Sequence, residues 1–174
     1  MTPARRQVCT QVVAWAPLVA AAAACRQLSP VLVLAIIAQE SAGNPYAVRV
    51  ERGFFRRYLA GLTALVRRTA TRWDDYWMTY PDLFSASWGL MQVLYPVAIE
   101  CGMVLRYPSE LCDPARGIEA GCRKLARDRA QGAVSERALL LAYNGGGDLE
   151  YPGRIAAWRT DLLDSGLLPE ALRC

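Results

Sequence analysis

The chain has 174 residues, of which 53% are hydrophobic and 21% charged, a balance that excludes a wholly disordered protein and suits one domain. It contains no histidine, which excludes Ser-His-Asp and Cys-His catalysis and histidine-ligated metal sites. The net charge of +4 comes from arginine, Lys124 being the single lysine, so acid–base chemistry falls to carboxylates, cysteines, tyrosines or Lys124.

The amino-terminal stretch carries Arg5 and Arg6 and then turns apolar, ending in the alanines of 20–24 and Cys25. Its outline imitates a signal peptide. Trp15, Leu18 and Val19 nevertheless supply the large apolar contacts of an amphipathic first helix, with Pro17 starting its regular part, and the helix is the preferred reading. No run has the length and apolarity of a stable transmembrane span. The next segment has clear ends. Ser29 predicts a cap, Pro30 fits the first helical position, and Gly43 with Pro45 stops the helix. Residues 31–38 are apolar on every face, which implies a central helix surrounded by other elements.

Residues 46–84 read as a divergent or inserted segment. A helical piece is expected over 53–71, followed by Trp73, Tyr76, Trp77 and Tyr80. Within 49–72, Arg49, Arg52, Arg56, Arg57, Arg67, Arg68 and Arg72 are opposed only by Glu51, giving a basic surface suited to anionic polymers or a plain solvated helix face. No helix-turn-helix, zinc-finger or RNA-binding signature accompanies them, so nucleic acid is not an expected partner. The chain then turns at Trp88 and Gly89 and enters another helix. Asp113 caps the following one, with Pro114 at its start. Gly117 and Gly121 lie four apart on it and leave a small face where another helix can approach closely. Ser135 caps a further helix that ends at Gly145, Gly146 and Gly147, and a last helix is expected over 152–163. Strand alternation is nowhere sustained. The expected fold is mostly α, a single domain over 1–174 with little or no β-structure. The six cysteines lack a CxxC spacing, and disulfides and buried thiols both remain open.

Glu40 breaks its surroundings. It closes the most apolar segment of the chain, where desolvation and the negative end of a helix dipole both favour the protonated form. A carboxyl group so placed suits general acid work near neutrality. Gln92, in Gly89-Leu90-Met91-Gln92, places an amide beside a tight turn, and Tyr143 with Asn144 places a phenol and an amide at a helix end. These groups bind neutral hydroxyls and acetamido groups through directional hydrogen bonds. Trp88 and Tyr95 offer apolar faces to a sugar ring.

The ordered combination LAIIAQESAGNP, SWGLMQV and LLAYNGGG resembles the soluble lytic transglycosylase catalytic domain, related in fold to goose-type lysozyme, from Trp15 to Trp158. The resemblance implies a lysozyme-like helical fold with a glycan groove between two lobes. It also implies cleavage of the β-1,4 bond between N-acetylmuramic acid and N-acetylglucosamine in peptidoglycan, leaving a 1,6-anhydro end. Carried onto matching positions, it makes Glu40 the acid and then the base, with Ser41 supporting the adjacent turn and Asn44-Pro45 shaping the helix exit. Met91 and Gln92 are expected near the sugar, Gln92 hydrogen-bonding to it, and Tyr143 and Asn144 near Glu40 and the glycan. Two departures stand out: Ser85-Ala86-Ser87-Trp88 replaces the family's usual serine and Gly-Ala pair, and the interval from Glu40 to Gly89 is long.

No cofactor or metal is expected. The expected partners are peptidoglycan glycan strands and, through the basic run, anionic wall polymers; the protein is expected to be a monomer. Its expected place of action is the periplasm or cell wall, with the export route open and a phage origin among the options. Two alternatives stay open at this level. One is a goose-type-like muramidase that uses water, recruiting a second carboxylate from Glu51, Asp74, Asp75 or Asp82 at about 6.5–9.5 Å from the first. The other is a non-catalytic glycan-binding protein.

Overall fold

Ser29 and Pro30 start the central helix where the sequence places its cap. In the computed structural model, which describes residues 1–51 and 84–173, helix α3 (Pro30–Ser41) opens with Ser29 Oγ accepting the Leu32 N–H at 3.4 Å. It closes where Ala42 (φ 52°) and Gly43 (φ 84°) turn left-handed. Every residue from 31 to 38 is buried, so the absence of a polar face in this segment has a direct cause: neighbouring helices surround it.

Those neighbours come from both ends of the chain. Helices α1 (Pro3–Val13) and α2 (Ala16–Ala24) pack on α3, with Cys9, Val12, Ala16, Val19 and Ala23 buried in the core. The single first helix expected from the sequence is therefore two, bent by 61°. Pro17 sits in the first turn of α2, where its missing N–H costs nothing, but inside a continuous helix it would break the ladder. The corner is pinned by Trp15, whose indole N–H donates to the Gly43 carbonyl at 3.0 Å. Among the described residues no single helix is long and apolar enough to cross a membrane, although the bent pair α1–α2 passes that length and composition test together.

After α3 the chain forms a small antiparallel sheet of β1 (Val48–Val50), β2 (Ala86–Trp88) and β3 (Val93–Leu94), in the order β1-β2-β3. Val48 pairs with Trp88 and Val50 with Ala86; Trp88 pairs in turn with Val93. The chain does not pass directly from the turn at Gly89 into a helix. Left-handed backbone at Gly89 (φ 73°) and Gln92 (φ 48°) first folds it back as β3, and α4 (Tyr95–Glu100) follows. A 3-10 turn (Pro108–Cys112) leads to α5 (Pro114–Ala130), which Asp113 caps by accepting the Arg116 N–H at 2.9 Å. Ser135 caps α6 (Glu136–Tyr143) in the same way, at 3.1 Å from the Ala138 nitrogen. Helix α7 (Tyr151–Asp164) then packs along α3, and a 3-10 turn (Glu170–Leu172) follows.

The small face of α5 receives a turn, not another helix. A Cβ at Gly121 would overlap the Met91 sulfur, and one at Gly117 would lie 2.6 Å from the Leu111 carbonyl oxygen. Gly89 approaches that same carbonyl so closely that a Cβ there would overlap it. The Gly89–Gln92 turn is thus seated between α5 and the 3-10 turn before it. Cys9, Cys25, Cys101, Cys112 and Cys122 are free thiols. The expected helix over 53–71, its arginines, the aromatics from Trp73 to Tyr80, and Asp74, Asp75 and Asp82 lie outside the described residues.

The seating of this turn predicts an order of stabilities. Gly121→Ala should cost about 1–3 kcal/mol through overpacking against a side chain that can shift. Gly89→Ala should cost more, because it meets a backbone oxygen and adds left-handed strain of about 1–2 kcal/mol. Urea unfolding of the two variants checks this, and equal or negligible losses would contradict the packing.

Candidate active site

Glu40 lies in the last turn of α3 with its side chain 8% exposed. One oxygen, Oε1, accepts a hydrogen bond from the Tyr151 hydroxyl at 2.6 Å. The other, Oε2, lies 3.7 Å from the Arg49 guanidinium on β1. Arg49 is 58% exposed and also holds Glu51, its Nε donating to Glu51 Oε1 at 2.7 Å. Burial pushes the Glu40 carboxyl above the ordinary carboxylate range. The Tyr151 hydrogen bond, Arg49 and Arg154 pull the other way without reversing it, while Glu51 adds to the rise. Position at the negative end of α3 acts in the same direction as burial.

Tyr151 is absent from the candidates read off the sequence. Helix α7 presents Tyr151, Ile155 and Trp158 at spacings of four and three, one face of a helix, and that face covers the end of α3. The Trp158 indole donates to Gln39 Oε1 at 3.2 Å, next door to the Tyr151–Glu40 bond. The Arg5 guanidinium stacks 3.7 Å from the Trp158 ring centre. The i, i+4, i+7 pattern was available as a signal in the residues, but nothing in it distinguishes a tyrosine that fills space from one that meets a carboxyl group.

The three sequence motifs converge on the backbone of the turn. Gln92 Nε2 donates to the Gly89 carbonyl at 2.9 Å, Ser41 Oγ to the Leu90 carbonyl at 2.8 Å, and the Tyr143 hydroxyl to the Met91 carbonyl at 2.7 Å. Gln92 Nε2 also donates to the Ala47 carbonyl at 2.9 Å, and its Oε1 accepts from Ser87 Oγ at 2.9 Å. Both amide hydrogens of Gln92 are therefore committed within the protein, which corrects its expected use as a hydrogen-bond donor to sugar. The Met91 side chain is wholly buried against Gly121, so it is a packing residue and not a sugar contact. Tyr95 is likewise corrected: it is buried, its hydroxyl donates to the Leu105 carbonyl at 3.0 Å, and its ring meets Phe84 edge-on. The apolar surroundings that drew attention to it belong to the core.

Tyr143 is buried close enough to Glu40 for the carboxylate to help push its phenol upward, after burial itself. Behind its ring stands Lys124, 4.6 Å from the ring centre and 2.6 Å from Asp128 Oδ2. Asn144 is half-buried at the end of α6, and Trp88 half-buried on β2. Among the described residues no group of acidic or thiol side chains is arranged to hold a metal ion.

A helical fold of the lysozyme-like kind that buries a carboxyl group at a helix end is the build of a glycan-cleaving enzyme. Residues 17–150 match the transglycosylase SLT domain, and the chain belongs to that family, which implies peptidoglycan as substrate. No curated protein and no solved structure matches the chain. Helix α1 and all of α7 lie outside the matched residues, so Tyr151 stands just beyond the match.

Tyr151→Phe should lower peptidoglycan cleavage roughly 10- to 100-fold, since a hydrogen bond to a charged group is worth about 1.5–3 kcal/mol; a turbidity assay on cell-wall sacculi measures it. The raised pKa of Glu40 means that the folded chain holds this proton where the unfolded chain has released it. Stability contributed this way is complete below the unfolded pKa and lost as pH rises through the folded one. Glu40→Gln should therefore gain stability relative to the native chain as pH rises through that window, read by thermal melts across pH.

Proposed function

We propose that the protein cleaves the N-acetylmuramic acid–β-1,4–N-acetylglucosamine bond of peptidoglycan as a lytic transglycosylase. The single observation that supports this reading most is Glu40, a buried carboxyl group held above its ordinary pKa with a tyrosine hydroxyl fixing one oxygen. Protonated Glu40 gives its proton to the leaving glycosidic oxygen as the C1–O bond breaks. The acetamido oxygen of the muramic acid stabilises the electron-poor anomeric carbon. Glu40, now ionised, takes the proton from the C6 hydroxyl of the same sugar, whose oxygen bonds to C1 and closes the 1,6-anhydro ring. One carboxyl group serves both steps and ends in the protonation state in which it began. The nucleophile belongs to the substrate, so no water has to be captured and positioned.

The Tyr151 bond supports both halves of this cycle: it orients the acid before transfer and stabilises the anion after it. Tyr143, Ser41 and Gln92 act in this reading through the turn they tie down, while Asn144 and Trp88 are the proposed sugar contacts. The proposed site of action is the periplasm or cell wall.

Purified sacculi digested with the native chain should release fragments one water lighter than those with reducing ends. Glu40→Gln should reduce the rate by at least about 10²–10⁴-fold, the usual contribution of a general acid–base group. The native rate should fall as pH rises through the elevated pKa of Glu40, above the ordinary carboxylate range. Reducing-end products would assign hydrolysis by water instead. Binding without lysis by both chains would assign a non-catalytic glycan-binding protein.

A further inference from the structure

Among the described charged side chains around Glu40, Arg49 is the one whose contact is incomplete. Its Nε is bonded to Glu51 at 2.7 Å, whereas its terminal nitrogen stops 3.7 Å from Glu40 Oε2. A charge-assisted N–H···O bond closes at about 2.7–2.9 Å, so the guanidinium stands roughly an ångström short of one. Arg49 and Glu51 lie at the solvent-facing side of the acid, 58% and 39% exposed, opposite the buried Tyr151 bond. The groups facing Glu40 among the described residues are these two from the β1 segment, Tyr151 and Arg154 from α7, and Tyr143 from α6. Arg154 is itself paired with Asp148, and Tyr143 donates to the Met91 carbonyl. Among the described residues that leaves Arg49 as the cation with a short path to Oε2.

We infer that Arg49 is a positioning residue that Glu51 holds in reserve, and that it closes onto Glu40 Oε2 when Glu40 becomes an anion during the reaction. The inference rests on the transglycosylase reading for its catalytic part and on the geometry alone for its electrostatic part. Before the first step the protonated acid presents little charge, and the guanidinium remains with Glu51. When the proton passes to the leaving oxygen, Glu40 gains a full negative charge beside a cation that needs only a small movement to meet it. When the C6 hydroxyl returns a proton to Glu40, the attraction falls and Glu51 recovers its partner. The tether matters as much as the cation. Without Glu51, Arg49 would bind Glu40 permanently and favour the ionised form that cannot start the cycle.

The two partners should therefore act in opposite directions, which a merely structural role does not produce. Removing the cation in Arg49→Leu should raise the pKa of Glu40, and Arg49→Lys should restore most of it. Glu51→Gln should lower that pKa, both by deleting a nearby negative charge and by releasing Arg49 toward Glu40. The carboxyl carbon of Glu40, followed by ¹³C NMR titration and assigned by its loss in Glu40→Gln, reads these shifts without any need for activity. On a defined soluble glycan oligomer from peptidoglycan, Arg49→Leu should lower kcat several-fold with little change in KM and move the alkaline limb of the rate profile upward. Glu51→Gln should move that limb downward. Opposite NMR shifts with matching limbs support the inference. Unchanged titration, or shifts of one sign in both variants, would overturn it. A native chain that cleaves no glycan while the opposite NMR shifts persist would reject the transglycosylase reading and leave the electrostatic coupling standing.

Discussion

Three consecutive carbonyls, those of Gly89, Leu90 and Met91, each receive one side-chain hydrogen bond, from Gln92, Ser41 and Tyr143 respectively. These residues are buried, and an unpaired buried carbonyl costs about 1–3 kcal/mol. The turn must therefore be closed by donors, and the three arrive from the end of α3, from the turn itself and from the end of α6. This one arrangement joins segments that are far apart in the chain. It also seats Met91 against Gly121 and Gly89 against the Leu111 carbonyl, where no larger residue fits. The hydroxyl of Ser41 and the phenol of Tyr143 thus have work that requires no substrate.

Glu40 sits against this frame at an energetic disadvantage. The same burial that packs α3 opposes ionisation of the acid at its end, so the fold loses stability as pH rises through the elevated pKa. Tyr151 on the buried side and Arg49 on the exposed side offset part of that cost. In the proposed cycle of proton donation and return, a carboxyl group compensated only in part keeps either state within reach. The compensation comes from α7 and β1, elements on either side of the residue, and neither interferes with the hydrogen bonds that hold the turn.

The reading from residues succeeded where a local rule was decisive and failed where a partner had to be known. Ser29, Asp113 and Ser135 cap their helices because a cap depends on atoms two or three residues away. Pro17 starts a regular helix as its chemistry suggests, but the separate helix α1 before it and the 61° bend between the two are not written in the residues. Gln92, Met91 and Tyr95 have the residue types of sugar contacts, yet Gln92 spends its amide on Ala47 and Gly89, and the other two are buried in the core. Polar and aromatic types state what a side chain can do, and only its neighbours show which of those capacities are already used. The wide interval between Glu40 and Gly89 shows the same limit: strands β1 and β2 close it by pairing Val48 with Trp88.

By itself the sequence determined the helical class, the central position of the 31–38 segment, the absence of histidine chemistry and the singular setting of Glu40. Each follows from periodicity, capping or composition, which act within a few residues of chain or over the whole of it. Only the tertiary structure decided that Tyr151 meets Glu40 and that Arg49 stands between two carboxylates. It alone showed that three motifs end on one turn. Those outcomes depend on distances of a few ångströms between segments far apart in sequence, and the packing of the whole core sets such distances.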